Sequence, residues 1–441
     1  MTKLNLHRSL LILCLILLIT ALIMVIAGHG ASSGFLVIGL FIILSFAVKG
    51  FEALKGLSFT MWIFAAVAAA MFYPQLFVQY GNFKTTVLIV PLLQIIMFGM
   101  GSQMSFQDFA GVIKMPKGVL VGFFGHYLIM PLTAVLIVRI LNLPTEIAAG
   151  VILIGCVPNG LASNVMSLLC NANLVLAVAV SAVTTIVAPF VTPFLMKILG
   201  GQYIAINVWS MMMDIIKMMI FPIIAGFIFN LINAGSTGAG KRNMQLLYYA
   251  ITIMLANLIY WHVNQTGFSG YLLASVKSIG MWIVLPVALA VIFRYYLKGD
   301  SKLQKKILSM LSMVGIAVIV TVITAAGQKS LLTVGGTLLL VVIIQNLLGY
   351  FLGYNAGRLF RLPKRDCRTL AFEVSMSNGG LASGLAMTIG NIATVGLAPA
   401  IYGPLMNVTG STLASYWRTR PPVDDNDDRG GKGKIRAEEK V

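Results

Sequence analysis

Charge is what this sequence has least of. Asp, Glu, Lys and Arg make up 10% of 441 residues, against about 25% in an ordinary soluble domain. A water-soluble fold of this length could not cover itself with so few polar side chains, and a disordered chain carries more charge still. Cysteine is scarce too. Cys14, Cys156, Cys170 and Cys367 lie in or beside apolar runs without paired spacing. That excludes a secreted disulfide scaffold and reads as buried free thiols. Histidine occurs only at 7, 29, 126 and 262, and there is no HExxH, GxSxG or phosphate-binding loop. No catalytic constellation is present, and the chain does not read as an enzyme. An intramembrane hydrolase would need Glu373 and Asp214 together, and nothing in the sequence pairs them.

What is abundant is apolar: 59% of residues are hydrophobic. This composition describes a polytopic all-α membrane protein, since a spanning helix needs about 20 apolar residues. Apolar runs cover 10–27 and 35–48, then about 59–79, 86–105, 118–138, 147–169, 173–197, 206–232, 245–263, 278–296, 307–326, 331–355, 369–391 and 396–416, fourteen in all. The first run is longer than a signal-peptide core and a second follows it, so 1–57 reads as a retained transmembrane hairpin. The net charge of +18 comes from sparse Lys and Arg between these runs. That is the membrane orientation signal, not a nucleic-acid surface. Lys3, Arg8, Lys49, Lys55, Lys114, Lys117, Lys241, Arg242 and the clusters at 294–306 and 358–368 all fall on one side. Both termini are then cytoplasmic. The polar stretch 418–441, with Asp424-Asp425-Asn426-Asp427-Asp428, reads as a solvated cytoplasmic tail.

A repeat organises the rest. Gly160-Leu161-Ala162-Ser163 recurs as Gly380-Leu381-Ala382-Ser383 at an offset of 220. Arg139-Ile140-Leu141-Asn142-Leu143-Pro144 recurs as Arg358-Leu359-Phe360-Arg361-Leu362-Pro363 at an offset of 219. The first loop carries one basic residue and Glu146; the second carries five basic residues and Asp366. Opposite charge bias in matched loops marks an inverted-topology repeat, an arrangement of secondary transporters. We expect repeat 1 over 58–200 and repeat 2 over 201–417, the latter with an inserted hairpin at 245–297.

Each copy interrupts an apolar run with helix breakers: Pro158-Asn159-Gly160 in the first, Ser377-Asn378-Gly379-Gly380 in the second. Unwound backbone at membrane depth is tolerated where it lines a cavity, and its carbonyls can hold a cation. Glu373 precedes the second breaker. A carboxylate at that depth needs a partner, a proton or a cation, and unwound carbonyls beside it suit Na+. Asp214, three residues before Lys217, reads as one half of a local ion pair. His126 sits mid-helix and falls opposite Asn346 at the repeat offset, so it reads equally as a hydrogen-bonded structural residue or a functional one.

These residues resemble the bile acid:sodium symporter family. The resemblance covers roughly 59–232 and 305–417 and is densest in four segments. These are Ile96-Met97-Phe98-Gly99-Met100-Gly101, the stretch from Gly155 through Pro158-Asn159-Gly160 to Met166, Glu373-Val374-Ser375-Met376-Ser377-Asn378, and Asn407-Val408-Thr409-Gly410-Ser411. It implies two inverted five-helix repeats forming a ten-helix transporter core, with two broken, crossing helices at 147–169 and 369–391, and about four extra transmembrane helices. It also implies a core domain that moves against a panel domain, two Na+ sites, and an organic anion bound beside the crossing.

Carried over residue by residue, one Na+ site would use Ser163, Asn164, Ser181 and Glu373. The family's usual hydroxyl after Ser181 is Ala182 here, with Thr184 a substitute. A second Na+ site would use Glu373, the carbonyls of Val374 and Met376, and His126 and Ser377 where the family has two glutamines. That departure leaves the second coupling ion as Na+, as a proton on His126, or absent. Substrate would lie near Asn159, Leu161, Asn378 and Asn407. Leu161 and Met406 replace more polar family residues, which implies a less polar pocket.

The expected function is Na+-coupled symport of a carboxylate or bile-acid-like anion by alternating access, in the plasma (inner) membrane, by a monomer or homodimer within the lipid bilayer. The alternatives are a proton-coupled or export-type carrier of the same fold, and a membrane sensor or structural protein without turnover.

Overall fold

The computed structural model describes residues 3–51, 55–104, 111–233 and 301–420. The expected hairpin at 245–297 and nearly all of the polar tail lie outside these residues. The described chain is built from fifteen principal helices. They are α1 (Lys3–Ile26), α2 (Gly34–Ala47), α3 (Ser58–Phe72), α4 (Ile89–Gly101), α5 (Pro116–Leu141), α6 (Thr145–Cys156), α7 (Ala162–Leu169), α8 (Leu174–Leu195), α9 (Val208–Ile215), α10 (Phe221–Asn233), α11 (Ser301–Ala326), α12 (Gln328–Leu359), α13 (Lys364–Ser375), α14 (Gly379–Ile389) and α15 (Leu397–Arg418). Among the described residues the strands are limited to one short hairpin, Gln79–Tyr80 with Phe83–Lys84. The protein is an all-α, multi-pass membrane protein. Helices satisfy their own backbone groups, as the hydrocarbon core requires.

Among the described residues six helical segments are long and apolar enough to cross a membrane whole, and five further apolar helices are shorter. Fourteen apolar runs therefore do not become fourteen plain spans. The run at 147–169 divides into α6 and α7, and that at 369–391 into α13 and α14. The run at 59–79 ends early because α3 stops before Tyr73-Pro74. The run at 206–232 is one path, α9 into α10 through a wide turn at Ile216–Ile220.

The two matched loops fold alike. After α5, Asn142 takes a left-handed conformation (φ 46°), and after α12 Arg361 does the same (φ 54°). Each turn closes with a backbone bond reaching back five residues, Leu143 to Val138 (3.5 Å) and Leu362 to Gly357 (3.0 Å), a helix-ending arrangement of the Schellman type. Each then runs through Pro144 or Pro363 into a helix of 12 residues.

Close helix approach positions α13. Gly349, Gly353 and Gly357 form a stripe on α12, and a Cβ on any of them would meet α13 within 3.0 Å, at Ser375, Leu370 and Cys367 respectively. Small residues at four-residue spacing let backbones touch where no hydrophobic drive between helices exists. Helices α5, α6, α8, α12, α13 and α15 pack around the two breaks. Helices α3, α4, α10 and α11 pack with one another, and α2 lies on α3 with α1 beyond it.

Candidate functional site

The two breaks meet. Helix α6 ends at Cys156 and α7 begins at Ala162; α13 ends at Ser375 and α14 begins at Gly379. Between these ends the two chains run antiparallel, with Asn159 opposite Ser377. Gly160 N–H donates to the Met376 carbonyl and Asn378 N–H to the Pro158 carbonyl, both at 2.8 Å. Pro158 has no N–H, and the unwound groups that a helix would have paired are paired across the crossing instead. The Asn378 side chain then caps α14, accepting from Leu381 N–H at 3.0 Å.

Glu373, in the last turn of α13, is fully buried here. Its Oε2 accepts from the Asn159 amide and from Ser181 Oγ at 2.9 Å. Its Oε1 is buried with no partner. No Lys or Arg among the described residues bonds to the carboxylate. Thr184 on α8 donates to Asn159 Oδ1 at 2.7 Å, which orients the amide so that its N–H faces Glu373. The structure thus gathers the first expected set. Ser181 touches Glu373 and lies 3.5 Å from Asn164 Oδ1, and Ser163 stands beside the carboxylate with its hydroxyl 2.7 Å from the Gly160 carbonyl. These are a carboxylate, two hydroxyls and an amide oxygen, the donors a hard cation takes. A proton or a cation would satisfy the open Oε1 of this buried carboxylate. Among the described residues no three His, Cys, Asp or Glu side chains gather as a transition-metal centre.

The second expected set is arranged differently. His126 is fully buried, and its Nδ1 lies 2.9 Å from the Val374 carbonyl and 3.1 Å from that of Glu373. Its Nε2 lies 2.8 Å from the Val157 carbonyl. The Ser377 hydroxyl is buried without a partner.

Of the expected substrate residues, Asn159 and Asn378 are at the crossing and Leu161 lies beside it, 37% exposed. Asn407 is on α15, bonded to its own helix at Gly403. The start of α14 packs on α15 at Gly403, one turn before Asn407. Asp214 is half-buried on α9, away from the crossing, with Thr388 and Lys217 acting on its carboxylate.

Beneath the second break lies a polar network that the sequence did not point to as a unit. Asn346 Nδ2 donates to Ser375 Oγ (2.8 Å) and to the Tyr402 hydroxyl (3.1 Å). Its Oδ1 accepts from Thr409 at 2.5 Å. The Tyr402 hydroxyl in turn donates to the Ser375 carbonyl. Asn346 at the repeat offset from His126 was the one available signal.

A family model described as the Sodium Bile acid symporter family matches residues 90–263. The uncharacterized sodium-dependent transporter YocS of Bacillus subtilis is 30% identical over 371 residues, which span 84% of this chain and 94% of the relative. The chain belongs to the sodium bile acid symporter family. The probable chloroplastic sodium/metabolite cotransporters BASS1 of Oryza sativa subsp. japonica and of Arabidopsis thaliana are 26% and 24% identical, each over 83% of this chain and 74% of the relative. Membership in the sodium bile acid symporter family makes this chain a membrane transporter and not an enzyme, in agreement with the missing catalytic motifs.

Proposed function

We propose that this chain couples Na+ entry to the transport of an organic anion by alternating access. The observation that carries this is Glu373: a buried carboxylate at the crossing of two broken helices, open at Oε1 and without a basic partner among the described residues. Leaving a charge so placed without a counter-charge costs several kcal/mol, and Na+ held by Glu373, Ser163, Asn164 and Ser181 supplies one. Those ligands come from α7, α8 and α13, so ion binding ties the two broken segments together and sets the geometry of Asn159 and Asn378. Both α7 and α14 start at the crossing, and helix N-termini favour negative charge. A carboxylate beside Asn378 and Asn407 suits those ends. The helices around the crossing then rock as a core against α3, α4, α10 and α11, as two inverted repeats allow. In a plasma (inner) membrane, the basic loops favour an orientation with both termini cytoplasmic.

The test is uptake of radiolabelled carboxylates and bile acids into proteoliposomes with and without an inward Na+ gradient. Uptake driven by the gradient is expected. Uptake unchanged by it refutes the proposal, and saturable Na+ binding without uptake of any anion favours a sensor.

A further inference from the structure

One side chain reaches both breaks, and what it does there bears on how many ions the site holds. The His126 ring stands between the Val157 carbonyl of the first break and the Glu373 and Val374 carbonyls of the second segment. We infer that this ring closes the second cation position, so that the chain binds one Na+ where the resemblance implied two. The inference rests on the Na+-coupled reading and specifies its stoichiometry.

The expected ligands of the second ion are already engaged. The carbonyls of Glu373 and Val374 face Nδ1 at 3.1 and 2.9 Å. The carbonyl of Met376 accepts the Gly160 N–H at 2.8 Å. A hard cation of calcium's radius, which is close to that of Na+, sits about 2.3–2.6 Å from its oxygen ligands. A ring nitrogen at hydrogen-bond distance from two of those oxygens fills the space such an ion needs. Apart from the Glu373 carboxylate, Ser377 Oγ is the one member of the set left without a partner, and a lone hydroxyl does not replace a hydration shell.

The ring has no room to swing aside. It is fully buried, its neighbour Tyr127 packs edge-on at 5.2 Å between centroids, and the Tyr127 hydroxyl is anchored on the Thr184 carbonyl at 2.9 Å. Gly125 lets α5 approach Val374, which a Cβ there would meet at 3.1 Å. The first position differs: Glu373 Oε1 has no hydrogen-bond partner, and Ser181 Oγ, which bonds Oε2, lies 3.5 Å from Asn164 Oδ1.

The experiment is equilibrium binding of radioactive Na+ to the purified full-length protein in detergent, read as the plateau in ions per chain. A plateau of one is expected for the parent. His126→Gln, which trades the ring for an amide oxygen, should raise it to two, and His126→Asn provides a second variant if the first does not fold. Glu373→Ala should remove the binding altogether, which identifies the counted ion. A plateau of two in the parent overturns the inference and leaves the Na+-coupled reading standing. A plateau of zero in the parent overturns that reading, and the inference with it. A plateau of one in both the parent and a folded variant overturns the assignment of the closure to His126.

Discussion

The Asn159 amide hydrogen-bonds the buried Glu373 carboxylate across the crossing of the two broken helices. It is aimed there by Thr184, which occupies the other end of the amide at 2.7 Å. A residue of the first break thus holds the ionisable group of the second, and the proposed cation position depends on a chain of three side chains from α8, the first break and α13.

Thr184, expected as a substitute ligand, is bonded to Asn159 instead, so Thr184→Val should weaken Na+ binding through the relay. The substitution leaves Asn159 Oδ1 buried and unpaired, at a cost of about 1–3 kcal/mol, and frees the amide to turn. Thr184→Ser keeps the hydroxyl and should restore both. Thermal melting and Na+ titration of the two variants check this; equal Na+ affinity in Thr184→Val and the parent speaks against the relay.

Glu373→Gln is expected to abolish stabilisation by Na+ while leaving the protein folded. A ligand at a hundredfold excess over its Kd stabilises by about 2.7 kcal/mol, so the parent should show a clear rise in Tm with NaCl over KCl. The variant should show none. Its Tm without Na+ should match or exceed the parent's, because a neutral amide replaces an acid that needs a proton or a cation when buried.

Tyr402→Phe separates the polar network from the ion position. The Ser375 carbonyl and one bond of Asn346 lose their partner, for a loss of about 1–3 kcal/mol in stability. Na+ affinity should change little, since none of these groups is an expected ligand. A Tm unchanged from the parent's sinks the structural role assigned to this network.

The glycine stripe on α12 predicts sharp position dependence. Gly353→Ala sets a methyl 2.7 Å from the Leu370 carbonyl oxygen and should cost about 1–3 kcal/mol by overpacking. Gly336→Ala, on the same helix with nothing within 4 Å, should be neutral or slightly stabilising. Comparing the two melting temperatures checks the close approach of α12 and α13.

Much of this site was legible in one dimension because helix breakers and a lone acid are conspicuous in an apolar chain. Pro158-Asn159-Gly160, Ser377-Asn378-Gly379-Gly380 and Glu373 all stand where the sequence pointed. The turn chemistry of the matched Leu-Pro loops was visible as a repeated string. Thr184 and Tyr402 were less so, because a threonine or tyrosine on a buried helix has many unremarkable uses until tertiary packing shows its partner. His126 was legible as a polar residue in the right place. Only the crossing of two segments distant in sequence shows that its ring lies between their carbonyls.

The crossing itself is tied by main-chain bonds, from Gly160 to Met376 and from Asn378 to Pro158. Main-chain donors and acceptors are nearly the same in every amino acid, so these bonds make few demands on side-chain identity. On the proposed transport reading, Leu161 and its neighbours can then be exchanged to suit a different cargo while the junction stays in register. If the proposed function holds, cargo preference can be reprogrammed separately from the machinery that moves it.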